Sequence, residues 1–278
     1  MLMAVSARAD DTLVDIARRY RIGQDEIVIA NPAVDRWAPA DGARVILPTA
    51  YILPRAPREG LVLNVSEMRL YYYPEHIAGL ADLVHTYSVS IGRQEFATPL
   101  GTARIVKKTK RPSWRPPQSI VAERASYGET LPSVVPPGPD NPLGELVMRL
   151  NLPGYLIHGT NKPYGVGMPV THGCVRMYPE DMQALYSMVP VGTPVTIVDQ
   201  PVKLGWLNGM LYIEVHPPFE PTIRHEGLTK RVTQLLRAEA SKRRFELDRD
   251  ALRMALELQD GVPIVIGRAS KARAAANP

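Results

Sequence analysis

The chain has 278 residues, of which 45% are hydrophobic and 22% charged, and its formal net charge is +5. These proportions are typical of a folded globular protein with one sizeable core and a smaller module. No run approaches the twenty apolar residues of a membrane-spanning helix, and CxxC repeats, glycine-rich phosphate loops and aromatic-basic runs are absent. Neither a transmembrane segment nor a nucleic-acid partner is therefore expected.

Residues 1–9 read MLMAVSARA, a few apolar residues that end in Ala7-Arg8-Ala9. Such a tripeptide is typical of a signal-peptide cleavage site, but the basic segment and the full-length apolar segment of an export signal are missing. Two interpretations stay open for this stretch: a signal-peptide remnant or the start of the mature chain.

Residues 10–50 have the pattern of a small module with two helices. Apolar residues recur at helical spacing after Thr12, a suitable N-cap, and residues 24–30 form a second short helical run. Residues 43–47 read as a strand that ends at a proline. The motifs TLxxIAxxY, NP and GxxVxLP resemble those of a LysM module, a small βααβ fold that binds peptidoglycan. A generic helical hairpin that serves as a spacer is the alternative.

Residues 57–202 are predicted to form a mainly β domain with helices, an α+β fold. Runs rich in β-branched and aromatic residues, separated by turn residues, predict strands at 61–65, 68–73, 84–91, 103–107, 146–150, 155–157 and 193–198. A helix is predicted over 179–188, since a proline and two carboxylates suit the first turn of a helix.

Within this domain, residues 111–144 contain eight of the chain's 27 prolines. Because proline lacks a backbone donor, this stretch is expected to form a long ordered loop without a sheet ladder or a long helix. Such loops beside a catalytic strand are often lids or substrate walls, and Trp114 and Tyr127 are predicted to line a cleft. A structural cover over the strands is the alternative.

Residues 203–278 are predicted to be a C-terminal extension of mixed β and helical structure. A strand is expected over 210–215, and helices over 229–237 and 248–258. The pattern assigns no function to this extension.

The chain's single cysteine, Cys174, lies in the run Thr171-His172-Gly173-Cys174-Val175-Arg176, and His158 lies 16 positions upstream. A thiol reacts as the thiolate, so a catalytic cysteine needs an imidazole within reach to take its proton. A neighbouring glycine lets the backbone turn tightly and aim N–H groups at a substrate oxygen. The pattern favours a nucleophile and its base.

The sequence allows two other interpretations of Cys174. A buried structural cysteine usually lies in an apolar run, whereas histidine, glycine and arginine flank this one. A zinc site with His158 and His172 would need a fourth ligand, and the chain has no second local pair of ligands. No metal site is therefore predicted.

The segment from His158 to Leu185 resembles the signature of the YkuD-type L,D-transpeptidases, which are cell-wall enzymes with a catalytic cysteine. The matching elements are His158-Gly159, a glycine-containing spacer, Thr171 to Arg176, and an acidic residue before an apolar helix. The one variation is Thr171, where serine is commoner. The resemblance implies a YkuD-like β-sandwich as the catalytic domain.

The resemblance also implies roles for the site residues. Cys174 is the nucleophile and His158 the general base, while His172 and Gly173 shape the pocket and the local backbone N–H groups stabilise the oxyanion. Arg176 either holds a substrate carboxylate or pairs with an acid to fix the loop. The resemblance also implies that Thr171, Gly159 and Thr160 bind the substrate.

The implied reaction is acyl transfer from a peptidoglycan tetrapeptide stem through a cysteine thioester, with release of D-alanine and sensitivity to carbapenems. The acceptor is the amine of another stem, a lysine of an envelope lipoprotein, or water, and no metal or organic cofactor is required. The family implies a periplasmic protein, and a monomer is expected. The rival interpretations are a non-catalytic peptidoglycan-binding scaffold and an unrelated cysteine hydrolase; the intact motif, with its histidine upstream of the cysteine, disfavours both.

Overall fold

A computed structural model describes residues 3–75, 83–219 and 225–270. The ends of the two terminal segments considered above, residues 1–2 and 271–278, lie outside the described residues. None of the described helices is both long enough and apolar enough to span a bilayer.

The N-terminal module has the order strand, helix, helix, strand. Its elements are β1 (Met3–Ser6), α1 (Leu13–Tyr20), α2 (Gln24–Ile29) and β2 (Arg44–Leu47), and the two strands pair antiparallel. Thr12 caps α1, because its hydroxyl accepts from the Asp15 backbone while the Asp15 carboxylate accepts from the Thr12 backbone. The helices and the second strand lie where the sequence predicts them. Residues 3–6, in the terminal segment whose role the sequence leaves open, form the module's first strand.

In the following domain, the described residues form nine strands that hydrogen-bond into one sheet. They are β3 (Gly60–Asn64), β4 (Arg69–Tyr73), β5 (His85–Gly92), β6 (Gly101–Lys110), β7 (Leu146–Leu150), β8 (Leu156–His158), β9 (Pro169–Thr171), β10 (Val175–Met177) and β11 (Pro194–Val198). The strand order is β10-β8-β7-β6-β11-β3-β4-β5-β9, and β10 also pairs with β5. The predicted mixed, mainly β fold is confirmed. In place of two separate sheets, one sheet closes on itself through the β10–β5 pairing.

Two α-helices belong to the described part of this domain. Helix α4 (Pro179–Met188) follows β10 directly, as predicted, and packs its apolar side on the core through Met182 and Leu185. Helix α3 (Gln118–Ser126) lies inside the proline-rich loop, where the sequence analysis did not predict a helix. The prolines permit it because they precede its first turn, as Pro116 and Pro117, and return only at Pro132.

The C-terminal extension is a four-stranded antiparallel sheet with two helices. Its elements are β12 (Val202–Leu207), β13 (Met210–Val215), α5 (His225–Ala240), β14 (Phe245–Leu247), α6 (Arg249–Leu258) and β15 (Ile264–Ala269), with the strand order β12-β13-β15-β14. The strand over 210–215 and both helices are confirmed, whereas β12, β14 and β15 were missed.

A buried ion cluster joins this extension to the catalytic domain. The Lys203 ammonium on β12 lies 2.8 Å from Glu67 Oε2 and 2.6 Å from Glu214 Oε1, and His216 Nε2 lies 2.7 Å from the same Glu214 oxygen. Glu67, Glu214 and His216 are close enough together to hold a metal ion. Lys203 already supplies the compensating positive charge there, so we assign the cluster a structural role.

The N-terminal module packs against the segment that leads to β9. Its backbone donates from Gln24 N to Val166 O over 2.9 Å and from Asp25 N to Gly167 O over 3.2 Å. Gly167 has φ +90°, and a Cβ there would lie only 2.2 Å from Gly23 Cα. Backbone therefore meets backbone at this contact, and only glycine fits.

Ion pairs surround this backbone contact between the two parts. Glu26 Oε1 lies 2.5 Å from the buried Arg69 guanidinium, and Arg21 Nη1 lies 2.9 Å from Asp181 Oδ1 at the start of α4. The Tyr178 hydroxyl also donates to the Ile22 carbonyl over 2.8 Å. The module is thus attached directly beside the residues that precede the Thr171 to Arg176 motif.

Candidate active site

Two adjacent parallel strands bring the sequence-predicted nucleophile and base together. Strand β8 ends at His158, and β10 runs beside it with Arg176 opposite His158. Side chains on a strand alternate between faces, and laterally paired residues share a face. Because Cys174 lies two residues before Arg176, its side chain is on the same face as those of Arg176 and His158. The alternating residues point into the core on the other face: Ile157, Val175 and Met177.

The His158 ring is buried, and two backbone groups hydrogen-bond to it. Its Nδ1 lies 2.6 Å from the Gly159 carbonyl oxygen, which can only accept, and the Leu143 backbone makes the second hydrogen bond to the ring. We assign the proton to Nδ1 on the short Gly159 contact, which leaves the lone pair on Nε2. Burial, reinforced by the positive charge of Arg176, lowers the pKa of His158 to about 4. At neutral pH the ring is an uncharged base.

The Cys174 thiol is half-buried and donates to the Gly154 carbonyl, with Sγ 3.4 Å from that oxygen. Burial raises the pKa of the thiol, although a Leu156 backbone hydrogen bond and the Arg176 charge partly offset this effect. A thiol with a raised pKa beside an imidazole with a lowered pKa stays protonated at rest. The site is thus arranged for proton transfer during attack and not for a preformed thiolate–imidazolium pair.

This charge state predicts the pH dependence of cysteine alkylation. Iodoacetamide reacts with the thiolate, and an ordinary thiol has a pKa of about 8.5. Since burial raises the pKa of Cys174, we expect its alkylation rate to be still rising at pH 9. Rates measured by mass spectrometry between pH 5 and pH 10 check this expectation. A plateau between pH 5 and pH 8 would show a preformed ion pair instead.

The turn before Cys174 is held by two hydroxyl groups. Thr171 Oγ1 donates to the Cys174 carbonyl over 2.6 Å, and Thr98 Oγ1 donates to the Gly173 carbonyl over 3.0 Å. Gly173 has φ +99°, and a Cβ there would lie 2.7 Å from Tyr155 Cε1. Both carbonyls are engaged, and within the described residues the backbone N–H groups of Gly173 and Cys174 have no hydrogen-bond acceptor. These two N–H groups can act as oxyanion donors.

The His172 ring contacts the proline-rich loop. Its Nε2 lies 2.7 Å from Glu123 Oε2 on α3, and its ring stacks on Phe96 with centroids 4.1 Å apart. The backbone of His172 belongs to the turn before Cys174, which we call the catalytic turn. The side chain of His172 connects that turn to α3.

Arg176 has no acidic partner among the residues that the structure describes. Its guanidinium is largely buried, and its Nε lacks a hydrogen-bond partner there. Burial lowers the pKa of Arg176, although a guanidinium remains charged at any physiological pH. A buried cation without a carboxylate beside it is suited to an anionic ligand.

The other predicted residues, Thr160, Trp114 and Tyr127, make no hydrogen bond to the side chains of Cys174 and His158 among the described residues. The Thr160 hydroxyl accepts from the Lys162 backbone over 2.9 Å, and a Cβ on Gly144 would lie 2.8 Å from Thr160 N, so this stretch is closely packed. Trp114 pairs through its backbone with Val135 at the base of the proline-rich loop. Tyr127 ends α3 and is 72% exposed.

Sequence reasoning missed several residues of the site. Thr98 carried a weak signal, because it opens the Thr98-Pro99-Leu100-Gly101 turn. The others carried none, since their roles arise from contacts between distant parts of the chain: Gly154, Tyr155, Phe96, Arg93 and Glu123.

Comparisons with known proteins agree with this geometry. The family model of the YkuD L,D-transpeptidase catalytic domain matches residues 58–197. The probable L,D-transpeptidase YcfS of Escherichia coli is 35% identical over 262 residues, which cover 92% of this chain and 81% of that protein. The probable L,D-transpeptidase ErfK/SrfK of Salmonella typhimurium is 37% identical over 270 residues, which cover 95% of this chain and 85% of that protein.

Among solved structures, the crystal structure of L,D-transpeptidase 3 from Mycobacterium tuberculosis is 16% identical, with a TM-score of 0.37, and the match covers 71% of this chain and 92% of that one. The family assignment rests on the sequence matches. They extend over more than nine tenths of the chain and include the segment from His158 to Arg176. The chain belongs to the YkuD family of L,D-transpeptidase catalytic domains.

Proposed function

We propose that this protein is an L,D-transpeptidase that acts on peptidoglycan tetrapeptide stems through a Cys174 acyl-enzyme. The observation that carries the proposal is the placement of Cys174 and an uncharged His158 on one face of two paired strands. The turn at Gly173 supports it with two backbone donors for the oxyanion.

In the first step, the Cys174 sulfur attacks the carbonyl carbon of the third stem residue while His158 Nε2 takes the thiol proton. The tetrahedral oxyanion accepts from the backbone N–H groups of Gly173 and Cys174. When the C–N bond breaks, His158 returns the proton to the departing amine, and D-alanine leaves. The product is a thioester on Cys174.

In the second step, an acceptor amine attacks the thioester carbonyl, and His158 takes a proton from the amine nitrogen. The C–S bond then breaks, an amide forms, and Cys174 recovers its thiol. The acceptor is a second stem or a lysine of an envelope lipoprotein. With water as the acceptor, the same steps make a hydrolytic relative, an L,D-carboxypeptidase or amidase.

Substrate contacts follow from the charges around the nucleophile. We assign Arg176 to a carboxylate of the stem, because its buried Nε has no hydrogen-bond partner and no acidic side chain pairs with it among the described residues. Thr171, Gly159 and Thr160 are buried, and they are proposed to support the wall of the site from behind. Tyr127 is exposed at the end of α3 and is available to contact the stem, and the Trp114 ring is proposed as a part of the same loop wall.

The N-terminal module is proposed to bind peptidoglycan as a LysM-like domain. Support comes from its βααβ order and from the quoted motifs. A wall substrate places the protein in the periplasm or cell envelope, where the net charge of +5 suits anionic wall polymers. We propose that it acts as a monomer.

Intact-protein mass spectrometry tests the proposed reaction. The native chain, Cys174→Ala and His158→Ala are each incubated with a carbapenem and, separately, with a tetrapeptide stem. We expect an adduct on the native protein and release of D-alanine from the stem, and neither product with Cys174→Ala. An adduct that persists in Cys174→Ala, or a native protein without either product, would contradict a cysteine acyl-enzyme. Incubating the acyl-enzyme with a second stem, or in buffer without an amine, then identifies the acceptor.

A further inference from the structure

Helix α3 is attached to the rest of the domain in an unusual way. None of its residues is fully buried, so it has no hydrophobic anchor of its own. The base of its loop is closed by backbone pairing between Trp114 and Val135 and by the Asn141 amide on the Pro112 carbonyl. Beyond that base, the hydrogen bonds between α3 and the described body of the domain all end on Arg93 and His172.

One carboxylate of α3 makes the two shortest of these contacts. Glu123 Oε1 lies 2.6 Å from Arg93 Nη1, and Glu123 Oε2 lies 2.7 Å from His172 Nε2. Ser119 adds a third contact, with its Oγ 3.1 Å from His172 Nδ1. Because a carboxylate only accepts, His172 Nε2 carries a proton and donates it to Glu123. Hydrogen bonds with a charged partner are roughly twice as strong as neutral ones.

The His172 ring is held on its other sides as well. It stacks on Phe96 with an interplanar angle of 23°. Arg93 Nη2 also lies 3.0 Å from its Nε2, but both nitrogens then carry protons, so this approach is not a hydrogen bond. With Glu123 and Ser119 in place, the ring has little freedom to turn. The contact with Glu123 thereby restrains the backbone of His172, which is the residue next to Gly173.

The catalytic turn depends on this restraint. Thr171 and Thr98 fix the carbonyls of Cys174 and Gly173, but neither fixes the peptide between His172 and Gly173. That peptide carries the Gly173 N–H, one of the two oxyanion donors. Gly173 has φ +99° and no side chain. No side-chain contact of Gly173 therefore fixes the orientation of this peptide.

We propose that Glu123 is a positioning residue of the acyl transfer, which holds the oxyanion turn through His172 and at the same time holds α3 beside the nucleophile. This inference rests on the proposed function, because the step that it supports is acylation of Cys174. Hydrogen bonds from Arg93 and His172 lower the pKa of Glu123 to about 2, so the carboxylate keeps its charge throughout the physiological pH range. The contact is therefore constitutive and does not act as a pH switch.

The test compares four proteins by steady-state release of D-alanine from a tetrapeptide stem. Glu123→Ala removes both contacts and suits a helix, and Glu123→Gln keeps an acceptor for His172. The matched control is Glu95→Ala, whose carboxylate lies 3.8 Å from the same Arg93 but does not contact His172. We expect kcat to fall at least tenfold in Glu123→Ala with KM within about threefold, an intermediate kcat in Glu123→Gln, and a native kcat in the control.

A double-mutant cycle shows whether Glu123 acts through His172. In a His172→Asn background, Glu123→Ala should lower kcat by less than twofold further. A full tenfold loss in that background would contradict the inference, and so would a Glu123→Ala protein whose kcat is within twofold of native. A change confined to KM would assign Glu123 to the substrate wall and would also overturn it.

A readout that is independent of activity separates this inference from the proposed function. Trypsin cleavage after Arg124, inside α3, should be about tenfold faster in Glu123→Ala than in the native protein or in Glu95→Ala. If the native protein releases no D-alanine, the proposed reaction fails and the positioning role fails with it. Cleavage at native speed in Glu123→Ala shows that the contact does not hold α3, which overturns the inference even in an active enzyme.

Discussion

Replacing His158 with alanine is expected to lower the rate of Cys174 acylation by about 10²- to 10⁴-fold, the usual contribution of a positioned general base. The resting thiol is protonated because burial raises its pKa. Without an imidazole on the same face of the strands, solvent must remove the thiol proton before attack. The rate of adduct formation with a carbapenem, followed by mass spectrometry, measures the loss.

The pH profile of acylation separates a lost base from a damaged fold. Burial and Arg176 lower the pKa of His158 to about 4, so the base is fully unprotonated above roughly pH 5 and native acylation should be nearly constant from pH 6 to pH 8. In His158→Ala the residual rate should instead rise about tenfold per pH unit, because it follows the thiolate fraction.

The matched control is His85→Ala, which removes an imidazole on β5 that stacks on Tyr72. It should acylate within about twofold of the native rate. Equal rates in the two variants, or a His158→Ala protein with a flat native profile, would remove His158 from the role of base.

Replacing Gly167 with alanine is expected to destabilise the protein by roughly 2–4 kcal/mol and to weaken the contact between the N-terminal module and the catalytic domain. Two costs add. Gly167 has φ +90°, which an alanine adopts only with strain, and its Cβ would lie 2.2 Å from Gly23 Cα and 2.4 Å from Gln24 N. Those atoms are backbone, so no side chain can rotate away to make room.

Urea unfolding and carbapenem acylation together measure this effect. The control is Gly192→Ala, where φ is +97° and nothing lies within 4 Å of the added Cβ, so it reports the strain alone. We expect Gly167→Ala to lose at least about 1 kcal/mol more than the control. Its acylation should also slow, because residue 167 leads into β9 and the nucleophile turn. Equal stability of the two variants would show that the module does not depend on this contact.

Local patterns in the sequence predict most of the secondary structure and point to the two residues proposed as nucleophile and base. Strands β3 to β8 follow from alternating β-branched and aromatic runs, and α1 follows from apolar spacing after Thr12. Cys174 and His158 could be proposed from the sequence because a thiol, an imidazole and a glycine occur together within one short segment. Such signals act over a few residues and do not need the rest of the fold.

Helix α3 and the C-terminal strands β12, β14 and β15 were missed because local sequence patterns do not encode them. Helix α3 has nine residues and no apolar stripe, and the prolines on both sides of it predict a loop. Strand β14 has three residues, and its pairing with β15 links residues 20 to 24 positions apart. Pairing of this kind is decided by tertiary contacts and not by local propensity.

By itself, the sequence determined the two helices and the second strand of the first module and the mainly β character of the next domain, and it singled out Cys174 and His158 as the candidate nucleophile and base. Tertiary structure alone decided that His172 faces Glu123, that Arg176 has no acidic partner in the described residues, and that Gly167 lies against Gly23. Residues 172 and 123, like residues 167 and 23, meet only when the sheet closes and the module packs on it. Their contacts depend on distances in space, which neither composition nor spacing along the chain encodes.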